Sequence, residues 1–150
     1  MRSFFFVGNM TLTFLPASET DIEPIFNLSR NLILKYEDTA SIDLPRVLAW
    51  VRRKIEENIH EYRRIFCGGI HAGYYRLFTG ELGRELDDLY IFPEYQHQGI
   101  GTEIIRRCCA QGPVTLYVFA ENTGALALYR RLGFREIQKA GTTRLILRKD

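Results

Sequence analysis

Apolar and polar positions change period several times along the chain, and each change marks an element. From Met10 to Leu15 large apolar side chains alternate with threonine, which predicts a strand that Pro16-Ala17-Ser18 ends. Thr20 or Asp21 then caps a helix carrying Ile22, Ile25, Phe26, Leu28, Leu32 and Ile33. A loop containing Asp38 to Asp43 leads to a second helix, Leu44 to Ile59, with Val47, Leu48, Val51, Ile55 and Ile59 on one side. From Tyr62 the pattern turns strand-like. Tyr62–Cys67 and Ile70–Phe78 are predicted strands joined by a Gly68-Gly69 hairpin turn. A turn over Thr79–Gly83 precedes a third strand, Leu86–Phe92, closed by Pro93. A helix follows from about Gly99 to Cys109, then a short strand, Thr115–Phe119. The last helix, about Thr123 to Leu132, stops at Gly133 with Phe134 placed to pack back on it, and strands at Phe134–Ile137 and Thr142–Leu147 close the chain. This predicts an α/β (α+β) fold: a mixed, mostly antiparallel central sheet of about seven strands flanked by about four helices.

The length of 150 residues predicts a single domain over 1–150, with residues 1–9 as an N-terminal extension ahead of the first strand. A chain of that size buries enough surface to fold without a metal or disulfide. Cys67, Cys108 and Cys109 are odd in number and form no CxxC pair, which argues against a zinc ribbon and for a reducing compartment. The net charge of +2 does not imply nucleic acid, and the cluster Arg52, Arg53, Lys54, Arg63 and Arg64 is expected to be a solvated face. The apolar run Phe4–Val7 is too short for a signal core or a membrane span. A cytoplasmic protein without membrane or nucleic-acid partners is expected.

The segment Gln96-His97-Gln98-Gly99-Ile100-Gly101-Thr102 opens a helix whose buried stripe is Ile100, Ile104, Ile105 and Cys108. The first turn of a helix leaves four N–H groups without partners and carries about half a positive charge. Glycines there let a diphosphate approach those donors. A plain tight turn explains two glycines equally well. A dinucleotide-binding turn does not fit: Ile104 stands where the third glycine belongs, Pro93–Gln98 separates strand from glycine, and antiparallel hairpins precede it. No GK[ST] follows, so a P-loop is excluded.

The run Gln96-x-x-Gly99-x-Gly101, after Leu89-Tyr90-Ile91-Phe92-Pro93-Glu94-Tyr95, resembles the acetyl-coenzyme A signature of the GNAT N-acetyltransferase superfamily. Downstream, Asn122-Thr123, Ala125, Leu128-Tyr129 and Leu132-Gly133-Phe134 are similar to that family's second motif, in the right order and at the usual separation. The resemblance covers about residues 10–148 and is strongest over 85–135. It implies acetyl-CoA as co-substrate and no metal. Pantetheine would pair with the backbone of the Leu89-Tyr90-Ile91 segment, Gln96, His97, Gln98, Gly99, Ile100, Gly101 and Thr102 would form the pyrophosphate turn, and Asn122 and Tyr129 would line the cofactor from the last helix. The implied reaction is direct attack of a primary amine, on a small molecule or a peptide, in a ternary complex. A catalytically inactive acyl-CoA-binding module is the alternative, and either a monomer or a homodimer fits.

Amine acetylation needs a base, because only roughly one lysine-like amine in a thousand is neutral at pH 7. It also needs a donor to the leaving sulfur, and Tyr129 is the leading candidate, against the alternative of a core aromatic. Asn122 doubles as a helix N-cap. Glu85, Asp87 and Asp88 are the candidate bases; strict alternation puts Glu85 and Asp87 on the face of Leu89 and Ile91 with Asp88 opposite, and a bulge would reverse part of this. Tyr117 stands where some protein N-terminal acetyltransferases carry glutamate, a departure that disfavours a ribosomal-protein-type acceptor. Tyr36, Glu37, Asp38, Asp43, Trp50 and the arginines at 52–53 are the candidate acceptor-side residues, with Trp50 alternatively core.

Overall fold

The computed structural model describes residues 5–8 and 10–150. Its sheet runs β1 (Phe5–Val7), β2 (Met10–Pro16), β3 (Tyr62–Cys67), β4 (Ile70–Gly80), β5 (Gly83–Ile91), β6 (Val114–Phe119), β8 (Arg144–Lys149) and β7 (Arg135–Ala140) in spatial order, eight strands among the described residues. The strand beyond the expected seven is β1, inside the stretch read as an extension, and it pairs antiparallel with β2. Every neighbouring pair is antiparallel except β5 and β6. Four helices cover the sheet: α1 (Ile22–Tyr36), α2 (Leu44–Asn58), α3 (Ile100–Cys109) and α4 (Thr123–Arg131). None is long and apolar enough to cross a membrane.

Two of the helices begin where the sequence supplies a side-chain acceptor. Asp43 accepts the Arg46 amide at 3.3 Å to start α2, and Asn122 accepts that of Ala125 at 3.3 Å to start α4. Ahead of α1, Asp21 accepts the Ser18 amide at 2.9 Å. At the end of α4, Gly133 takes a left-handed φ of 98°, its N–H reaching Arg130 O and that of Phe134 reaching Tyr129 O, both at 3.0 Å. One face of the sheet packs α3 and α4 through Ile104, Ile105, Cys108, Leu126 and Phe134; the other packs α1 and α2 through Ile25, Ile33, Val51 and Ile55. The three cysteines are free, with Cys67 and Cys108 buried, and burial pushes the Cys108 thiol up to about 11.

The sheet is irregular where β4 meets β5. Tyr74 faces Tyr90 but Arg76 faces Asp87, so Tyr75 alone spans Asp88 and Leu89. Asp88 adopts φ 49°, a left-handed conformation that aspartate tolerates better than most residues. Next to this bulge the backbones approach closely: a Cβ on Gly73 would lie 2.0 Å from Tyr90 O. Gly73→Ala must therefore push β5 off β4, at roughly 1–3 kcal/mol or more. A fall of about 2–12 °C in unfolding midpoint is expected by scanning calorimetry; an unchanged midpoint would mean that the two strands part freely here.

Candidate functional site

β5 and β6 are paired in parallel at one position, Glu85 with Thr115, and diverge beyond it. The divergence opens a cleft of about 470 Å³ whose walls include Asp87, Leu89, Ile91, Asn122 and Tyr129. The Phe92 amide donates to Ala72 O at 2.8 Å, on the β4 side. Alternation then turns the backbone groups of Leu89 and Ile91 to the opposite edge, where β6 has moved away. That edge is a row of main-chain donors and acceptors available to an extended ligand. The Gln96 side chain closes the row by donating to Ile91 O at 2.9 Å.

At one end of the cleft lies the glycine-bearing turn. Gln98 donates from its side chain to Glu94 O at 3.2 Å, His97 sits at φ 61°, and Gly99 takes φ 84° as the N-cap of α3. Gln96 and Gln98 therefore shape the turn with their side chains. Residues 96–99 are exposed and lead into the first turn of α3, whose amides have no partner within the helix. The fold needs glycine at 99 for its backbone conformation. At Gly101 it does not: a Cβ would meet only Ile91 Cγ1, at an ordinary 3.9 Å. Space left clear at the positive end of a helix is what a pyrophosphate uses. Ile100 packs inward as the first buried residue of α3, and Thr102 lies half-buried on the same first turn.

The candidate acids separate in space. The bulge at Asp88 puts Leu86, Leu89 and Ile91 on the α3 side, where they pack into that core. Asp87, Asp88 and Tyr90 face α1 and α2 instead, which corrects the alternation-based expectation that Asp87 shares the face of Leu89 and Ile91. Glu85 stays where β5 and β6 still pair, outside the cleft lining. Burial raises its carboxyl above the ordinary range, and the Asp87 charge adds to this.

Lys54, from α2, bridges the acid pair, with Nζ 3.0 Å from Asp87 Oδ2 and 3.1 Å from Asp88 Oδ2. Asp88 also accepts the hydroxyls of Tyr62 and, at 2.9 Å, Tyr90. Burial alone would raise the Asp88 carboxyl, but the Lys54 charge and these hydrogen bonds hold it below the usual carboxylate range. Asp87 is shared between Lys54 and Arg76, the latter at 3.3 Å, and keeps about a third of its side chain exposed at 32%. Burial and the adjacent Asp88 charge push its carboxyl up, and Lys54 and Arg76 only partly oppose this. Asp87 is thus the acid facing the cleft with a raised proton affinity, and Asp88 anchors it.

Tyr129 projects from α4 into the cleft, its ring edge-to-face with Phe134 at 5.7 Å. Its hydroxyl bonds to no described residue, and burial pushes its pKa to about 12. On the far side, β6 turns Leu116 and Val118 into the α3–α4 core and Tyr117 outward beneath Arg144, whose guanidinium lies 5.4 Å from the ring centre.

A family model described as the acetyltransferase (GNAT) domain matches residues 55–136. The chain belongs to the GNAT acetyltransferase family. Thialysine N-ε-acetyltransferase of Sus scrofa is 36% identical over 77 residues, 45% of this chain, and the match spans 44% of that relative, less than half its length. An acetyltransferase structure from Thermus thermophilus superposes with a TM-score of 0.68 at 22% identity, covering 92% of this chain and 96% of that one. The PaiA N-acetyltransferase of Thermoplasma acidophilum, in complex with coenzyme A, gives 0.66 at 20% identity over 93% and 98%. The GNAT fold therefore extends through α1 and α2, where the sequence resemblance is only topological.

Within this GNAT fold, the residues that sequence reasoning missed are Lys54, Arg76 and Arg144. The charge pattern alone puts Lys54 in a solvated basic cluster, yet it follows Val51 by three positions and so belongs to the buried stripe of α2. The other members of that cluster are dispersed: Arg52 pairs with Glu23, Arg53 is exposed, Arg63 donates to His60 O at 2.9 Å, and Arg64 to Pro16 O at 3.3 Å. On the acceptor side, Asp38 accepts the Ser41 hydroxyl at 2.7 Å, Tyr36 stacks on Phe119 at 6.0 Å, and Trp50 is a rim residue rather than core, 58% exposed.

Proposed function

We propose that the protein transfers an acetyl group from acetyl-CoA to a primary amine by direct attack, with Asp87 as the base and Tyr129 as the donor to the departing sulfur. The observation that carries this is the parting of β5 and β6 after a single paired position, which leaves the Leu89–Ile91 edge open between an exposed helix N-terminus and a cleft-facing carboxylate. The free amides at 99–102 and the cleared Gly101 suit a pyrophosphate, and the open edge suits an amide-bearing pantetheine arm. Similar folds have been seen with coenzyme A, in the Thermoplasma protein, and with acetyl-CoA, in a Salmonella typhimurium protein of TM-score 0.58. When bound, acetyl-CoA supplies an activated acyl thioester.

The chain's own residues do the rest. Asp87 takes a proton from the incoming ammonium or amine; its raised affinity makes it a better base than an ordinary aspartate. The Ile91 N–H, on the open edge, donates to developing charge on the acyl oxygen. Tyr129, with a pKa near 12, keeps its proton throughout. A thiolate of pKa near 8.5 does not strip a proton from such a phenol, so Tyr129 stabilises the sulfur by donating a hydrogen bond. Thiol release followed in the presence of acetyl-CoA and a panel of primary amines tests the activity. If acetyl-CoA raises the unfolding midpoint but no amine releases thiol, the chain is a binding module instead.

Tyr129→Phe is expected to lower kcat by about 10–100-fold, the value of one hydrogen bond to a charged acceptor. The dissociation constant for acetyl-CoA should stay within about threefold, because the ring keeps its packing on Phe134. Unchanged kcat would remove Tyr129 from the mechanism.

A further inference from the structure

The α1–α2 end of the cleft opens into a second chamber of about 450 Å³, and the two share Ile33, Trp50, Val51, Phe119 and Arg144. Its walls are apolar, but its rim is cationic: Arg46 from α2 and Arg144 from β8 line it, and Lys35 from α1 lines the adjoining cleft. Several cations elsewhere around these helices are matched to acids: Arg52 to Glu23, Lys54 to Asp87 and Asp88, Arg64 to Asp21, Arg76 to Glu61 and Asp87. Among the described residues, Lys35, Arg46 and Arg144 have no acid within 4.0 Å. Glu37, the acid lining the chamber, is engaged elsewhere, accepting the Thr143 hydroxyl at 2.6 Å and the Asp38 amide at 3.2 Å. Arg46 and Arg144 thus bring two guanidiniums without an acid partner to one largely apolar chamber.

We propose that the acceptor amine carries a carboxylate, bound in this chamber by Arg144 with help from Arg46, while its amino end reaches Asp87. A guanidinium presents paired N–H donors that match a carboxylate, and apolar walls strengthen the contact by excluding water. The segment between the two charged ends lies along Trp50 and Phe119, which suits an aliphatic or aromatic body. The acceptor class is therefore amino-acid-like rather than a simple polyamine. This rests on the acetyl-transfer reading above for its amine end only.

Matched pairs test it: lysine against cadaverine, and 4-aminobutyrate and 6-aminohexanoate against their amides, with O-phosphoethanolamine as the phosphate arm. Thiol release should favour the carboxylates at least tenfold in kcat/KM, mostly through KM, and the preference should shrink at high salt. Arg144→Gln should collapse it to near unity and Arg46→Gln should reduce it. Binding is read independently, because Trp50 is the sole tryptophan and lines the chamber. Its fluorescence should titrate with a Kd at least tenfold lower for each carboxylate than for its amide. Equal Kd values, a preference that survives Arg144→Gln, or selective binding of the phosphate arm would overturn the proposal. Carboxylate-selective quenching without thiol release would sink the acetyl-transfer reading and leave the carboxylate site standing.

Discussion

Asp87→Asn is expected to lower kcat/KM for the amine by about 10²–10³-fold, the range lost with a general base. That corresponds to about 3–4 kcal/mol of transition-state stabilisation. The side chain keeps its shape and its contact with Lys54, so the effect isolates the basic carboxylate. Glu85→Gln, outside the cleft lining, should change kcat/KM by less than about twofold. Asp88 is not an equivalent base. Lys54, Tyr62 and Tyr90 occupy its oxygens and hold its proton affinity down. The pH profile gives a second reading. A base must be ionised to act, and the Asp87 carboxyl is raised, so kcat/KM should fall on the acid side at a pH above the ordinary aspartate value of about 3.9. That limb should vanish in the asparagine variant. Stability should move the other way: a carboxyl raised by folding destabilises the native state wherever it is ionised, so at pH 7 the neutral amide should hold or raise the unfolding midpoint. A variant within threefold of wild type would hand the proton to a water relay and remove Asp87 from the chemistry.

The sequence displays α1 to α4 and most of the strands from Met10 onward because their apolar positions recur at a helical or strand period or lie between clear turn signals. The glycine-bearing turn is legible too, since its signal is local: two glycines opening an amphipathic helix. What decides the chemistry is not local. The start of β5 at Gly83 rather than Leu86 comes from pairing Arg84 and Glu85 with Thr79 and Phe78, residues without apolar alternation. The orientation of Asp87 depends on the bulge at Asp88, which depends on the register between Tyr74 and Arg76 and on the close approach of Gly73 to Tyr90. No pattern within 85–91 contains that information. Trp50 is ambiguous for a similar reason: the helical period puts it beside Val51, and only the divergence of β6 from β5 leaves it on a rim.

Lys54→Met should destabilise the fold by about 3–5 kcal/mol at pH 7, because it strands two neighbouring carboxylates without their shared cation. At about 2–4 °C per kcal/mol for a chain of this length, the unfolding midpoint should fall by roughly 10 °C. Its pH dependence identifies the cause. In the wild type, Asp88 is depressed, so its contribution is present above the unfolded value near 3.9 and is lost only as pH falls through its lower folded value. Lys54 is raised: burial pulls it down, but the Asp88 and Asp87 charges outweigh that, so its contribution lasts until pH rises past about 10.4. These two contributions are therefore flat between about pH 5 and 9. Without the ammonium, the Asp88 carboxyl loses the charge that held it down and the already raised Asp87 carboxyl rises further, so each then favours the native state only when protonated. The methionine variant should consequently gain stability on acidification from pH 8 to 5, with its deficit relative to wild type narrowing over that range. A deficit independent of pH would mean that the loss is one of packing, since methionine fills most of the volume of lysine but carries no charge. Lys54→Arg separates the remaining cases: it restores the charge but replaces one compact ammonium by a planar fork that must reach both Oδ2 atoms from α2. Stability recovered with kcat/KM still depressed would show that Lys54 sets the direction of the Asp87 carboxylate as well as its company.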